Sequence, residues 1–308
     1  HVSHDNEWPY NVYGGLQDNG SWKGPSRSPG GISSGDWQVV GGGDGFWAFA
    51  DPKDSNTLYV EYQGGQLSRV DVATGESKSI KPFAREGEEE LRFNWNTPIH
   101  LSPTRANTLY YGSQVLHFST DRGDSWTTIS PDLTTDTPEH QETPGGPIHS
   151  DHTGVEVFNT IFSLVPSPHQ AGTIWVGSDD GLVHITRDDG ANWTDITPPD
   201  MPRFATVNRI EVSPHRAGRA FLAVQRYRMD DWKPYIFRTN DYVESWDLLT
   251  DGTNGIPGDH WVRVVREDDV RPGLLYAGTE FGAFVSFDDG NRWQPLQMNL
   301  PATPVTDT

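Results

Sequence analysis

The 308-residue chain has no cysteine, only 3 methionines, and no apolar run approaching the ~18 residues that a membrane span requires. Without cysteine there are no disulfides, thiolate nucleophiles or cysteine-based zinc sites. Basic residues are scarce too: 23 Lys and Arg stand against 43 Asp and Glu, a net charge of −20. Such a surface repels a phosphate backbone, which argues against nucleic acid as a partner. It suits cations, basic partners, neutral polymers or plain solubility. Apolar residues make up only 34% of the chain, and the 3.6-residue period of a helical bundle is missing. Glycine (32), proline (23) and tryptophan (12) are abundant instead. Aromatics at 11% supply the large buried surfaces that disordered chains lack, so a loop-rich β protein remains. The chain opens His1-Val2-Ser3-His4, with neither an initiator methionine nor a signal peptide, as expected of a processed product or a piece of something longer.

One eight-residue motif, Ser/Thr-x-Asp-x-Gly-x-x-Trp, organises the chain. It runs from Ser119 to Trp126 through Asp121 and Gly123, from Thr186 to Trp193 through Asp188 and Gly190, and from Ser286 to Trp293 through Asp288 and Gly290. A fourth copy, Thr239 to Trp246 with Asp241, carries Val243 in place of glycine. The chemistry is that of a self-capped hairpin. Aspartate accepts hydrogen bonds from turn amides, glycine supplies a positive φ, and tryptophan wedges into the core from the next strand. These aspartates are therefore expected to build turns, not to catalyse.

Each motif follows a short strand, a turn that usually carries proline, and a second strand. Glu211-Val212-Ser213-Pro214 leading to Ala220-Phe221-Leu222-Ala223 is one instance. Units of about four strands in ~45–65 residues predict the blades of an all-β propeller. Six are expected near residues 1–42, 43–80, 95–130, 155–197, 205–250 and 260–298. The motifs resemble the BNR repeats, or Asp boxes, of sialidase-like propellers and of sortilin-type domains. The order of segments such as Tyr13-Gly14-Gly15-Leu16-Gln17-Asp18-Asn19-Gly20 and Arg92-Phe93-Asn94-Trp95-Asn96 is similar to large bacterial secreted BNR-repeat proteins often labelled glycosyl hydrolases. That resemblance implies an extracellular, periplasmic or cell-surface location and a longer propeller, with remaining blades or domains as partners of this one.

In such a blade the A–B turn and the C–D motif share one end, and the B–C turns and D-to-A crossings share the other. Function is expected at the second end. Asp18, Asn19, Asp44, Glu88, Glu89, Glu90, Asp179, Asp180, Asp230, Asp231 and Glu280 all map there, as a cation or sugar site or as a solvated acidic rim. Ca²⁺ through oxygen ligands is one option, although no EF-hand spacing exists; no other cofactor is expected. His149, Asp151 and His152 could ligate a transition metal, or simply form a solvated loop. Glycosidase chemistry needs two carboxylates ~5–9.5 Å apart, for which Asp44, Asp179, Asp180, Asp231 and Glu280 are the candidates. A glycan or peptide ligand would instead use Asp18, Asn19, Arg92, Trp95, Arg226, Arg228 and Trp232, where exposed aromatic faces can stack on sugars. Two functions are thus open: a non-catalytic binding module, or a carbohydrate-active hydrolase or lyase.

Overall fold

The computed structural model describes residues 1–146, 148–151, 157–242 and 244–308. Its strands form six four-stranded antiparallel sheets, each built from consecutive strands, the blades of a β-propeller with almost no helix. Blade 1 contains β1 (Val2–His4), β2 (Asn11–Leu16), β3 (Gly20–Pro25) and β4 (Gln38–Gly41). Blade 2 contains β5 (Gly45–Asp51), β6 (Asp54–Tyr62), β7 (Gln66–Asp71) and β8 (Ser77–Ser79), and blade 3 contains β9 (Ile99–Leu101), β10 (Leu109–Gly112), β11 (Leu116–Ser119) and β12 (Thr127–Thr128). Blade 4 is β13 (Ile161–Pro166), β14 (Ile174–Ser178), β15 (Val183–Thr186) and β16 (Thr194–Asp195). Blade 5 is β17 (Thr206–Val212), β18 (Ala220–Arg226), β19 (Asp231–Thr239) and β20 (Asp247–Leu248), and blade 6 is β21 (Val262–Glu267), β22 (Leu275–Thr279), β23 (Gly282–Ser286) and β24 (Gln294–Pro295). The chain divides into two compact units. The first comprises His1–Leu101, Asn107–Thr128 and Pro138–Phe158; the second comprises Ser102–Ala106, Ile129–Thr137 and Asn159–Thr308.

Within each unit the core lies between neighbouring blades. In the second unit one cluster joins Trp175, Val183 and Ile185 of blade 4 to Val207, Ile210, Leu222 and Phe237 of blade 5. Another joins Phe221 and Ile236 of blade 5 to Val262, Val265, Leu275 and Trp293 of blade 6. In the first unit, Tyr59 and Leu67 of blade 2 pack with Ile99, Leu109 and Tyr111 of blade 3. Second strands sandwiched on both faces read as unbroken apolar runs: all five residues of β14 are buried, and so are six of seven in β18. Outer strands such as β12, β16, β20 and β24 are two exposed residues each, too short to invite edge pairing.

The motifs close the C–D ends and join blade to blade. Asp121 accepts from Ser125 N (2.9 Å), Ser125 Oγ (2.6 Å) and Ser119 Oγ (2.8 Å), while Gly123 N donates to Ser119 Oγ at 2.8 Å. Asp188 repeats this with Asn192 N, Asn192 Nδ2 and Thr186 Oγ1, and Asp241 with Ser245 and Thr239. Asp288 accepts from Ser286 Oγ and Arg292 N. The left-handed turn needs two residues, not glycine alone. Arg122, Asp189, Tyr242 and Asp289, the fourth motif positions, have φ of 61–64°, and Gly123, Gly190 and Gly290 follow at 85–88°. Val243 lies outside the described residues. The fourth-position N–H bonds the A–B turn of its own blade, as in Asp189 to Gly172 O (3.0 Å) and Asp289 to Gly273 O (3.0 Å). The last residue reaches a backbone carbonyl outside its own motif: Trp126 Nε1 donates to Ile80 O (2.7 Å), Trp193 to Ile129 O (2.9 Å) and Trp246 to Ile196 O (2.8 Å). A Cβ at Gly123 would collide with Ile80, at Gly190 with Ile129 and at Gly290 with Leu249, so glycine is needed for this approach as well as for φ.

Candidate functional site

The B–C ends of blades 5 and 6, both in the second unit, gather aromatic and charged side chains. β18 ends at Arg226 in a 3₁₀ turn, Tyr227–Met229, which the left-handed Asp230 (φ 57°) closes before β19 begins. The turn brings Tyr227 onto Trp261, stacked at 5.0 Å with 18° between the rings. Trp232 meets Trp261 edge-on at 4.6 Å, and Phe281, from the B–C turn of blade 6, does so at 5.9 Å. Trp261 is 4% exposed, whereas Trp232 and Phe281 are each 40% exposed. Among the described residues the buried indole N–H of Trp261 has no hydrogen-bond partner.

A β-bulge supplies the charge at this surface. In blade 6, Val262 pairs with Thr279 and Val264 with Gly278, which leaves Arg263 as an extra residue between them. Its guanidinium donates to Glu280 Oε2 from Nε (2.9 Å) and Nη2 (2.6 Å), and lies 5.6 Å from the ring centres of both Tyr227 and Trp261. Arg228 sits over the Tyr227 ring at 5.3 Å. At the side, Arg226 bonds Asp231 Oδ2 (3.2 Å) and Arg203 O (2.7 Å), and Tyr235 OH donates to the same Asp231 oxygen at 2.8 Å. Burial opposes ionisation of Asp231, but hydrogen bonds from Tyr235, Lys233 and Arg226 outweigh it and hold the carboxyl below the usual carboxylate range. The result is an aromatic patch with a fixed cation and two tethered carboxylates. It can stack against an apolar ring face and hydrogen-bond to substituents at its edge.

The other carboxylates predicted at this end are held by their own surroundings. Asp179 is buried and accepts from Thr160 N (2.9 Å) and Thr160 Oγ1 (2.8 Å). Asp180, also buried, accepts from Thr135 N, Thr135 Oγ1 and Asn159 Nδ2 on one oxygen and from Ser178 Oγ on the other. Both are staples of the crossing loop, with their lone pairs engaged. In the first unit, Asp44 accepts from Asp18 N (2.7 Å) and Trp95 Nε1 (3.1 Å), and its own N–H donates to Gln63 Oε1. Asp18, Asn19, Asp44 and Gln63 line an open concavity of about 500 Å³. Asn19 itself is turned to its own turn, Nδ2 donating to Gln17 O. Arg92 is packed away from that concavity's lining, paired with Glu89 at 2.6 Å.

Of the metal candidates, two lie within the described residues. His149 Nδ1 lies 2.6 Å from Ser150 O, Asp151 N donates to Pro144 O, and His152 is outside the described residues. Among the described residues no three His, Asp or Glu side chains are placed to hold a metal ion.

Arg263 and Phe281 are not among the site residues expected from the sequence. Phe281 follows Glu280 in a turn where polar residues are the rule, a signal that could have been read. The aim of Arg263 depends on a bulge, and nothing in Val262-Arg263-Val264-Val265 announces one.

No protein-family model matches the chain, and no curated protein matches it. Solved structures do. The chain is similar to the GH74 xyloglucanase from Xanthomonas campestris, with a TM-score of 0.64 at 18% identity over 93% of this chain and 43% of that one. It is similar to the extracellular domain of BT4673 from B. thetaiotaomicron, with a TM-score of 0.61 at 13% identity over 98% of this chain and 34% of that one. A chain of the nidogen/laminin complex gives a TM-score of 0.53 at 10% identity, over 97% of this chain and 99% of that one. These likenesses are of fold. The chain spans less than half the length of the first two proteins. No helix is long and apolar enough to cross a membrane among the described residues.

Proposed function

We propose that this chain is an extracellular or cell-surface propeller module that binds a glycan on the aromatic patch of blades 5 and 6 without hydrolysing it. The observation that carries the reading is the arrangement of Trp232 and Phe281, both exposed, around a buried Trp261, with Arg263 fixed by Glu280. Aromatic faces stack on the C–H faces of sugar rings, and fixed polar groups at the edge orient hydroxyls. The similarity in fold to a xyloglucanase makes xyloglucan oligosaccharides the first probe. The eight-residue motifs further lead us to infer kinship with BNR and sortilin-type propellers.

Hydrolysis is the second reading, and the tethering of Asp231 and Glu280 by arginines counts against it. A glycosidase needs one carboxyl that keeps its proton near neutrality. Asp231 is shifted the other way, and Glu280 is ion-paired at 2.6 Å. A glycan array run beside a hydrolysis screen tests the proposal, with Asp44→Asn and Asp180→Asn as controls. Binding without turnover, unaffected by Asp44→Asn, is expected. Turnover that Asp231→Asn or Glu280→Gln abolishes would establish the hydrolase instead, and binding of peptides but no glycan would replace the ligand class.

A further inference from the structure

The first unit carries a second recess, at the outer strands of blades 2 and 3. It encloses about 610 Å³ between β8 and β12 and the crossing that follows β8. In a chain of net charge −20, three cations line it: Lys78, Lys81 and Arg85. Two carboxylates line it as well, and both have local duties. Asp124 is shared by Lys78 (2.6 Å) and Arg69 (3.1 Å), and Glu88 accepts the backbone N–H of Arg85 at 2.9 Å. Lys81 is pinned in place, donating to Gly64 O at 2.9 Å and lying 4.6 Å from the Phe93 ring centre. Burial pushes the His117 imidazole down to about 4, so near neutrality this ring adds an apolar wall and no charge. The lining thus sets three cations against two carboxylates.

Its other linings are of two kinds. Trp126, whose N–H is already bonded to Ile80 O, and Phe83, 77% exposed, offer aromatic surface. Ser79, Ser125, Thr127 and Thr128 offer hydroxyls. Cations beside hydroxyls and aromatic carbon match one ligand chemistry, a polyhydroxylated ring that bears a negative charge. A purely apolar acid would leave the hydroxyls unpaired, and a bare inorganic anion would leave the aromatics exposed. We propose that this recess binds an acidic saccharide, with Lys78, Lys81 and Arg85 meeting its carboxylate or sulfate groups and Trp126 its ring. The site is independent of the patch on blades 5 and 6 and does not rest on that assignment.

Isothermal titration with trigalacturonate and with a sulfated heparin tetrasaccharide tests it, with cellotriose as the neutral control. Saturable binding of at least one acidic probe is expected, about tenfold or more tighter than cellotriose. Binding should weaken by about tenfold in Lys78→Gln/Arg85→Gln, whose exposed positions leave folding intact, and should fall as NaCl is raised. Trp232→Ala should leave it unchanged, which separates this site from the patch of the second unit. No saturable heat with either acidic probe up to about 10 mM would overturn the proposal. So would equal affinity for cellotriose, or equal affinity in the double variant.

Discussion

At the C–D end of blade 4, Asp188 uses both carboxylate oxygens on Thr186 and Asn192, and Trp193 gives its indole N–H to Ile129 O. At the B–C ends of blades 5 and 6, Trp232 and Phe281 are 40% exposed around a Trp261 that is 4% exposed. The residue types overlap, but their exposure differs. Where aspartate caps its own turn and tryptophan bonds a backbone carbonyl beyond it, they serve the fold. Where aromatic carbon faces outward, as at Trp232 and Phe281, it is open to solvent.

The largest effect expected from this contrast is on stability. Trp293 is 2% exposed in the core between blades 5 and 6, and Trp293→Ala should cost about 3–5 kcal/mol, measured by urea unfolding. Trp232→Ala, at the other end, should change stability by no more than about 0.5 kcal/mol. If the two cost the same, the division between structural and recognition ends fails.

A finer test lies within the motif itself. Trp126, Trp193 and Trp246 each donate to a backbone carbonyl, of Ile80, Ile129 and Ile196, whereas Trp293 Nε1 is buried with no partner among the described residues. Replacement by phenylalanine keeps the ring and removes the N–H. Trp193→Phe should therefore lose about 1 kcal/mol, and Trp293→Phe should lose less or gain stability. A reversed order would show that the inter-blade hydrogen bond does not matter.

The smallest effects are in pH. Hydrogen bonds from Ser125 and Ser119 draw Asp121 down to about 2, and those from Asn192 and Thr186 lower Asp188. A carboxyl depressed by folding stabilises the fold above its ordinary value, and that contribution is lost as pH falls from about 4 toward 2. Glu61 behaves oppositely. Burial raises its carboxyl well above the usual range despite the backbone N–H of Thr97 and the nearby Lys81, and its Oε2 has no partner among the described residues. Folding favours its neutral form, so stability should fall as pH rises past the ordinary glutamate value. Urea midpoints followed from about pH 2 to 9 should show both arms, and Glu61→Gln should flatten only the upper one.

The sequence made the blades legible because each carries a punctuated repeat. Strand, proline turn, strand and motif fix where β14, β18 and β22 lie, and a two-sided burial turns those strands into apolar runs. The candidate site was legible only by residue type. Arg226, Arg228 and Trp232 could be named from their place in a B–C turn, but Arg263 reaches Tyr227 through a bulge that no side-chain pattern reveals. Asp179 and Asp180 looked like exposed acids at the working end. They proved to be buried because Thr135, Asn159 and Thr160, distant in sequence, fold back to bond them. Acidity in a loop says little until its donors are known.

Titrating the chain and its Trp232→Ala variant with a xyloglucan oligosaccharide under identical conditions separates a Trp232 that binds glycan from one that only packs. A saturable isotherm is expected for the parent chain and affinity at least about tenfold weaker in the variant, with both unfolding at the same urea midpoint. Equal isotherms in the two proteins, or none in the parent, would contradict glycan binding by Trp232.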